Sequence, residues 1–276
     1  MLRYRSSCVS RPNHIETVPR PPHEQLERMR QDPRSTVKLI ELALAEDRNA
    51  IAVLHARGDR AVLNAALALC HSPKVGHRRI GALILGQLGS PKRTFPEECC
   101  DALLCLVHHD QSHEVVIQAV FALGHLGNAR SEPDLIQLRH HPDRDIRHGV
   151  AFALCGAKTP SSVQALLELM EDPYELARDW ATTGIGQAVS IDSPEVRAAL
   201  LRRATDDDEI VRAEALHGLA RRHDERVAIY LIAELSMSRR LKYLFVDAAK
   251  TFLGIDEAQD TDAEILLSAL QAFFGR

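Results

Sequence analysis

Three cysteines and three histidines crowd one short stretch of this chain: Cys99, Cys100, Cys105, His108, His109 and His113. Cys105 and His109 stand one helical turn apart, so a helix would present a thiolate and an imidazole from one face, as a zinc site requires. The spacing does not extend to a closed four-ligand set, and Cys105 sits among Leu104, Leu106 and Val107, the usual surroundings of a buried free cysteine. No metal and no other cofactor is expected. A second constellation surrounds Trp180, the single tryptophan, with Arg178 and Asp179 beside it and Asp172 upstream. An aromatic with a charged rim suits a recognition platform more than a reaction. No glycine-rich phosphate loop, serine nucleophile elbow or carboxylate pair at catalytic spacing appears in the sequence, so the chain is expected to bind rather than catalyse.

These residues belong to a recurring unit. Aligned on Gly86, Gly124, Cys155, Gly186, Ala220 and Gly254, the chain repeats in steps of 38, 31, 31, 34 and 34 residues. One position earlier stands an aliphatic each time: Leu85, Leu123, Leu154, Ile185, Leu219 and Leu253. Five earlier the residue is small or β-branched (Gly81, Ala119, Val150, Ala181, Ala215, Ala249), and eight earlier four units carry Arg78, Arg147, Arg178 and Arg212. Offsets of one, five and eight follow helical turns, so each unit opens with an amphipathic helix whose stripe is too narrow to fold alone. Stacking is obligatory, and the small residues let neighbouring axes approach. Asp110, Asp172 and Asp206 stand six before the arginine column, where a carboxylate can cap its helix and meet a neighbouring unit's arginine, making an Asp/Arg ladder.

A second helix closes each unit: Pro96 to His108, Pro133 to His140, Ser161 to Glu171, Pro194 to Ala204, Asp224 to Ser236 and Asp262 to Phe274. Proline, Ser or Asp at each start suits a first helical turn. The resulting fold class is all-α, an α-solenoid of helix pairs wound as a right-handed superhelix with second helices on its concave face. Residues 1–22, with Arg3, Arg5, Arg11, Arg20 and four prolines, read as a flexible arm. Residues 23–46 read as an N-terminal cap and residues 47–276 as about seven repeats. Composition agrees: 45% apolar but only 4% aromatic, as helices packed through Leu and Ala require. Six cysteines without C-x-x-C pairs or a secretory leader point to a reducing cytoplasm. No apolar run reaches the roughly 20 residues of a membrane span.

Charge is uneven. Residues 1–93 hold 16 Lys/Arg against 8 Asp/Glu, residues 94–175 hold 5 against 13, and residues 176–276 hold 13 against 17. On the second helices of the acidic centre, Glu97, Asp101, Gln137, Gln164, Glu168 and Glu171 remain polar once the apolar stripe is packed. With Arg178, Asp179 and Trp180 they form the expected partner-binding face, a negative groove suited to a basic protein.

The run Arg78-Arg-Ile-Gly-Ala-Leu-Ile-Leu-Gly-Gln87, the run Ala177-Arg-Asp-Trp-Ala181, the segment Asp192-Ser-Pro-Glu-Val-Arg197, and Glu209-Ile-Val-Arg-Ala-Glu-Ala-Leu-His-Gly-Leu219 with Asp224-Glu-Arg-Val227 resemble the YibA family of bacterial HEAT-repeat proteins. The resemblance runs over roughly residues 40 to 250, in order and with similar spacing. It implies a HEAT-type solenoid and, because YibA-type proteins are encoded beside Rhs toxins, an immunity protein that occludes a cognate toxin domain. A scaffold or adaptor without a toxin is the alternative. A third class is enzymatic, a phycobilin-lyase-like or DNA glycosylase-type HEAT protein. HEAT-like glycosylases use Trp, Asp and Arg on a helical cleft, but they need several aromatics and a basic surface, whereas this chain has one tryptophan and a net charge of −4. Nucleic acid and membrane are not expected partners.

Overall fold

A computed structural model describes residues 23–156, 159–237, 242–256 and 259–274. The expected arm, residues 1–22, lies outside them. The described residues are all-α: α1 (His23–Arg30), α2 (Thr36–Leu44), α3 (Arg48–Arg57), α4 (Arg60–Cys70), α5 (Val75–Gln87), α6 (Pro96–His109), α7 (His113–Leu126), α8 (Glu132–Gln137), α9 (Arg144–Leu154), α10 (Pro160–Leu169), α11 (Glu175–Thr183), α12 (Pro194–Arg203), α13 (Glu209–Arg221), α14 (Val227–Ser236), α15 (Lys242–Leu253) and α16 (Ala263–Phe274). Odd-numbered helices are the first of each pair, even-numbered the second. Local chemistry sets their starts: the side chains of Asp47, Asp59, Thr159 and Ser193 accept the backbone N–H three residues on, and Pro160 and Pro194 occupy first turns. α11 continues into a π-helical turn, Gly184–Ala188, where the sequence suggests only a helix end.

The repeat register sets the core. Leu85, Leu123, Leu154, Ile185 and Leu219 are each 0–1% exposed, and the small-residue column is buried throughout. Leu253 is only half-buried, so the last unit departs from the pattern. Among the described residues no helix is long and apolar enough to cross a membrane.

The first helices α5, α7, α9, α11, α13 and α15 pack directly on one another in succession, while the second helices from α4 to α14 meet each other sparsely and only the closing pair, α14 and α16, packs closely. Glycines at the closing column make this possible. A Cβ on Gly86 would lie 2.7 Å from the Cα of Ala122, and one on Gly218 would lie 2.7 Å from the Cα of Gly186, so backbone meets backbone. A curved stack spaces its inner row more tightly than its outer row. The first helices therefore line the concave side and the second helices the convex side, the reverse of the sequence expectation. The apolar stripe tells where a helix meets its pair, but the tighter row is set by the size of residues between consecutive first helices.

The Asp/Arg ladder forms between units. Arg78 grips Asp110 through two N–H donors at 2.6 and 3.0 Å, Arg147 grips Asp172 at 2.6 and 3.0 Å, and Arg178 grips Asp206 at 2.9 Å twice. Each aspartate also accepts the N–H two residues on, in Ser112, Tyr174 and Asp208. The carboxylates thus shape the turn before the helix rather than cap the helix itself. Arg212 pairs with Glu234 on its own second helix, at 3.0 Å. One rung is missing on both sides at once: Val116 holds the arginine position, and His141 holds the aspartate position and takes over the turn by accepting the N–H of Asp143.

Candidate protein-interaction surface

On each first helix, the residues three and six before the closing position point away from the paired second helix, into the groove. In α7, α9 and α11 these positions carry Phe121, Phe152 and Trp180. Their rings join into one cluster. Phe121 and Phe152 are 5.4 Å apart between centroids, and Phe152 meets Trp180 edge-on at 4.9 Å. His125 packs on Phe152 at 4.9 Å, and His148 bridges Phe121 at 5.1 Å to Tyr174 at 6.0 Å. Arg144 lies over the Tyr174 ring at 4.7 Å. In a chain only 4% aromatic, this concentration falls on three neighbouring inner helices: Phe121 is buried at 6% exposed and backs Phe152 and Trp180, which are half-buried and give the cluster its anchor-type surface. The sequence signal was Phe121 and Phe152 in one register column, three before the closing residue.

Three titratable groups on the first helices are shifted by burial. Burial pushes His125 down to about 4, with Arg93 adding to it, and Arg93 donates two hydrogen bonds to the His125 carbonyl. Burial likewise holds His55 on α3 at about 4 while its ring bonds the Leu83 carbonyl at 3.1 Å. On α13, burial raises Glu214 to about 7 although Gln187 and Thr183 hydrogen-bond its carboxyl.

The residues expected to bind a partner are divided between the two sides. Glu97, Asp101, Gln137, Gln164, Glu168 and Glu171 ride on α6, α8 and α10 or just beyond, on the convex side. Most of their charge is already met. Arg130 takes Glu97 at 2.6 Å and Asp101 at 2.8 Å, Arg139 takes Glu168 at 2.6 Å, and Arg202 and Arg203 take Glu171 at 2.8 and 3.0 Å. These carboxylates are thus met by arginines of neighbouring units, Arg139 from the unit before and Arg130, Arg202 and Arg203 from the unit after, and do not form a bare negative groove. Arg178 belongs to the ladder and Asp179 is 8% exposed, so neither presents a surface group. Trp180, on α11, is half-buried in the aromatic cluster.

The Cys/His stretch does not converge. Cys99 and Cys100 are buried in α6, with burial lifting the Cys99 thiol to about 12, while Cys105, His108 and His109 are exposed. His108 pairs with Asp134 at 2.8 Å and His113 with Asp143 at 3.1 Å. Among the described residues no three His, Cys, Asp or Glu side chains are arranged to hold a metal ion.

Comparison with known proteins fits this architecture. The HEAT-repeat family profile matches residues 100–186. Protein YibA of Escherichia coli strain K12 is 27% identical over 189 residues, spanning 66% of this chain and 67% of that protein. The X-ray structure of Escherichia coli YibA superimposes with a TM-score of 0.66 at 22% identity, covering 92% of this chain and 96% of that one. An engineered protein of known structure follows with a TM-score of 0.53 at 16% identity, covering 91% and 75%. The chain is an all-α HEAT-repeat solenoid that resembles YibA.

Proposed function

We propose that the chain is a binding protein that seats a partner protein in the groove lined by its first helices. On the YibA resemblance, the partner is the toxic domain of an Rhs-type effector, neutralised by occlusion. The observation that carries the reading is the Phe121, Phe152 and Trp180 cluster on the inner face. Rigid aromatic rings in a half-desolvated concavity are the usual composition of an interface hot spot. Closely packed inner helices keep that surface pre-organised, so little ordering cost falls on association.

The test pairs the chain with the toxin domain encoded beside it. Phe152→Leu combined with Trp180→Leu keeps the site apolar but removes the rings. It should weaken capture of the toxin domain by at least tenfold and abolish protection of cells expressing it, with the melting temperature used to confirm folding. Glu168→Lys combined with Glu171→Lys, on the convex side, should leave both intact. Loss of protection from the convex pair but not from the ring variant would overturn the assignment of the face. A neighbouring region without any toxin gene would point instead to a scaffold.

A further inference from the structure

The inner face changes character between α11 and α13. Six before the closing residue, α11 carries Trp180 and α13 carries Glu214, and the two helices pack directly together. Glu214 is turned back towards α11, where Gln187 Nε2 donates to its Oε2 and Thr183 supplies a second hydrogen bond. Thr183 and Gln187 lie one and two turns beyond Trp180 on that helix's inner face. The carboxyl and the indole therefore share one stretch of groove floor.

Both donors to Glu214 are neutral. Arg221, the cation on the same face of α13, is engaged by the Gln187 carbonyl instead. The contrast with the rest of the protein is sharp: Asp110, Asp172, Asp206 and Asp224 are each buried or nearly so, and each is gripped by at least one arginine. A desolvated carboxyl held, among the described residues, by neutral donors resists ionisation, and burial raises Glu214 to about 7. A cation brought to it would supply the charge the fold leaves out.

An aromatic ring near a carboxyl is suited to a guanidinium, which can face the ring while its N–H groups bond the carboxylate. This protein already uses ring and guanidinium together, with Arg60 4.0 Å over Phe95 and Arg144 4.7 Å over Tyr174. The first turns of the inner helices add Glu114, Asp145 and Glu175 along one lip of the groove. We propose that the partner's segment lying over α11 and α13 is basic and places an arginine side chain between Trp180 and Glu214. This rests on the reading of the inner face as the partner surface.

Trp180 is the single tryptophan, so its emission reports on this site alone. The probes are an acetylated, amidated peptide of four Gly-Arg repeats and the same peptide with citrulline, the neutral isostere of arginine. The arginine peptide should change Trp180 emission saturably, with affinity at least tenfold above the citrulline peptide. Glu214→Gln should weaken it at least fivefold, and Glu97→Gln with Asp101→Asn on the convex side should leave it within twofold. Equal binding of the two peptides, no saturable change, or a Glu214→Gln variant that binds like the parent would overturn the proposal. The two readings fail separately. If the ring variant loses the protein partner but Glu214→Gln affects neither partner nor peptide, the groove stands and the cation anchor falls.

Discussion

The missing ladder rung offers a direct measure of what the other rungs contribute. Val116 and His141 replace the arginine and the aspartate together, so the fold tolerates loss of both partners where loss of one should be costly. The Arg147 and Asp172 pair is the place to test this. Its side chains are 14% and 5% exposed, and among the described residues Asp172 has no other arginine within ion-pair distance. Asp172→Ala removes two charge-assisted hydrogen bonds and the acceptor for the Tyr174 N–H, leaving Arg147 with the His141 and Pro142 carbonyls. Breaking one side of a buried pair costs about 3–5 kcal/mol. The two remaining carbonyls reduce that to roughly 2–3 kcal/mol here, or a fall of about 5–10 °C in Tm. Copying the natural gap with Arg147→Val and Asp172→His should cost only about 1 kcal/mol, since no charge is stranded and the imidazole can accept the turn N–H as His141 does. Arg147→Val alone should resemble Asp172→Ala. Denaturant melts at pH 7 of Arg147→Val, Asp172→His and their double close the cycle and give the coupling energy, expected near ~2 kcal/mol or above. A coupling under about 0.5 kcal/mol would refute the argument and make the rungs passive surface pairs.

Three further outcomes follow from the same geometry. Glu214 has its folded value raised to about 7, so its ionised form is penalised in the folded state relative to the unfolded one; the penalty is complete above about pH 7 and fades as pH falls towards the unfolded value. Glu214→Gln should therefore be more stable than the parent at pH 8 by up to roughly 2–3 kcal/mol, the difference shrinking steadily below pH 7 and closing near about pH 4, read from melts across that range; a pH-independent difference would contradict it. His55 and His125 work in the opposite sense: their values near 4 mean the unfolded chain takes up protons first as pH drops below about 6.5, so the parent should lose stability from there downwards, and less so with His125→Gln. Gly218→Ala would bring a methyl group 2.7 Å from the Gly186 backbone and should destabilise by about 1–3 kcal/mol through displacement of α13 from α11, against the gain that alanine normally gives in a helix.

Much of the fold could be read from the residues because repetition multiplies a weak signal. One column of glycines is ambiguous, but a column followed at fixed offsets by Leu, a small residue and Arg in successive units leaves one arrangement, and the ladder pairs lie where those offsets put them. The partner surface was less legible. Segment charge placed a negative groove at residues 94–175, but Asp110 draws Arg78 from the unit before and Glu171 draws Arg202 and Arg203 from the unit after. A sum along the chain cannot see pairs that cross it. The sequence does not single out Phe121 and Phe152, since hydrophobicity alone does not separate a residue facing its paired helix from one facing the groove.

Which row is inner decides everything about the surface, and that choice rests on a few atoms of steric bulk. Gly86 against Ala122, Gly124 against Ala153 and Gly186 against Gly218 bring successive first helices to backbone contact, whereas no such series links the second helices. Tight spacing on one side bends the stack towards that side. The bend half-covers side chains that a straight stack would leave in water, so Trp180 loses solvent without gaining a full core around it, and Glu214 loses hydration without gaining a cation. Desolvation of that kind is unfavourable for the free protein and is offset when a partner supplies the missing contacts. The same glycines that hold the repeats together thus prepare the surface for a ligand. Larger residues at those positions should straighten the inner row and return Glu214 towards an ordinary carboxylate value, coupling curvature to the chemistry of the groove.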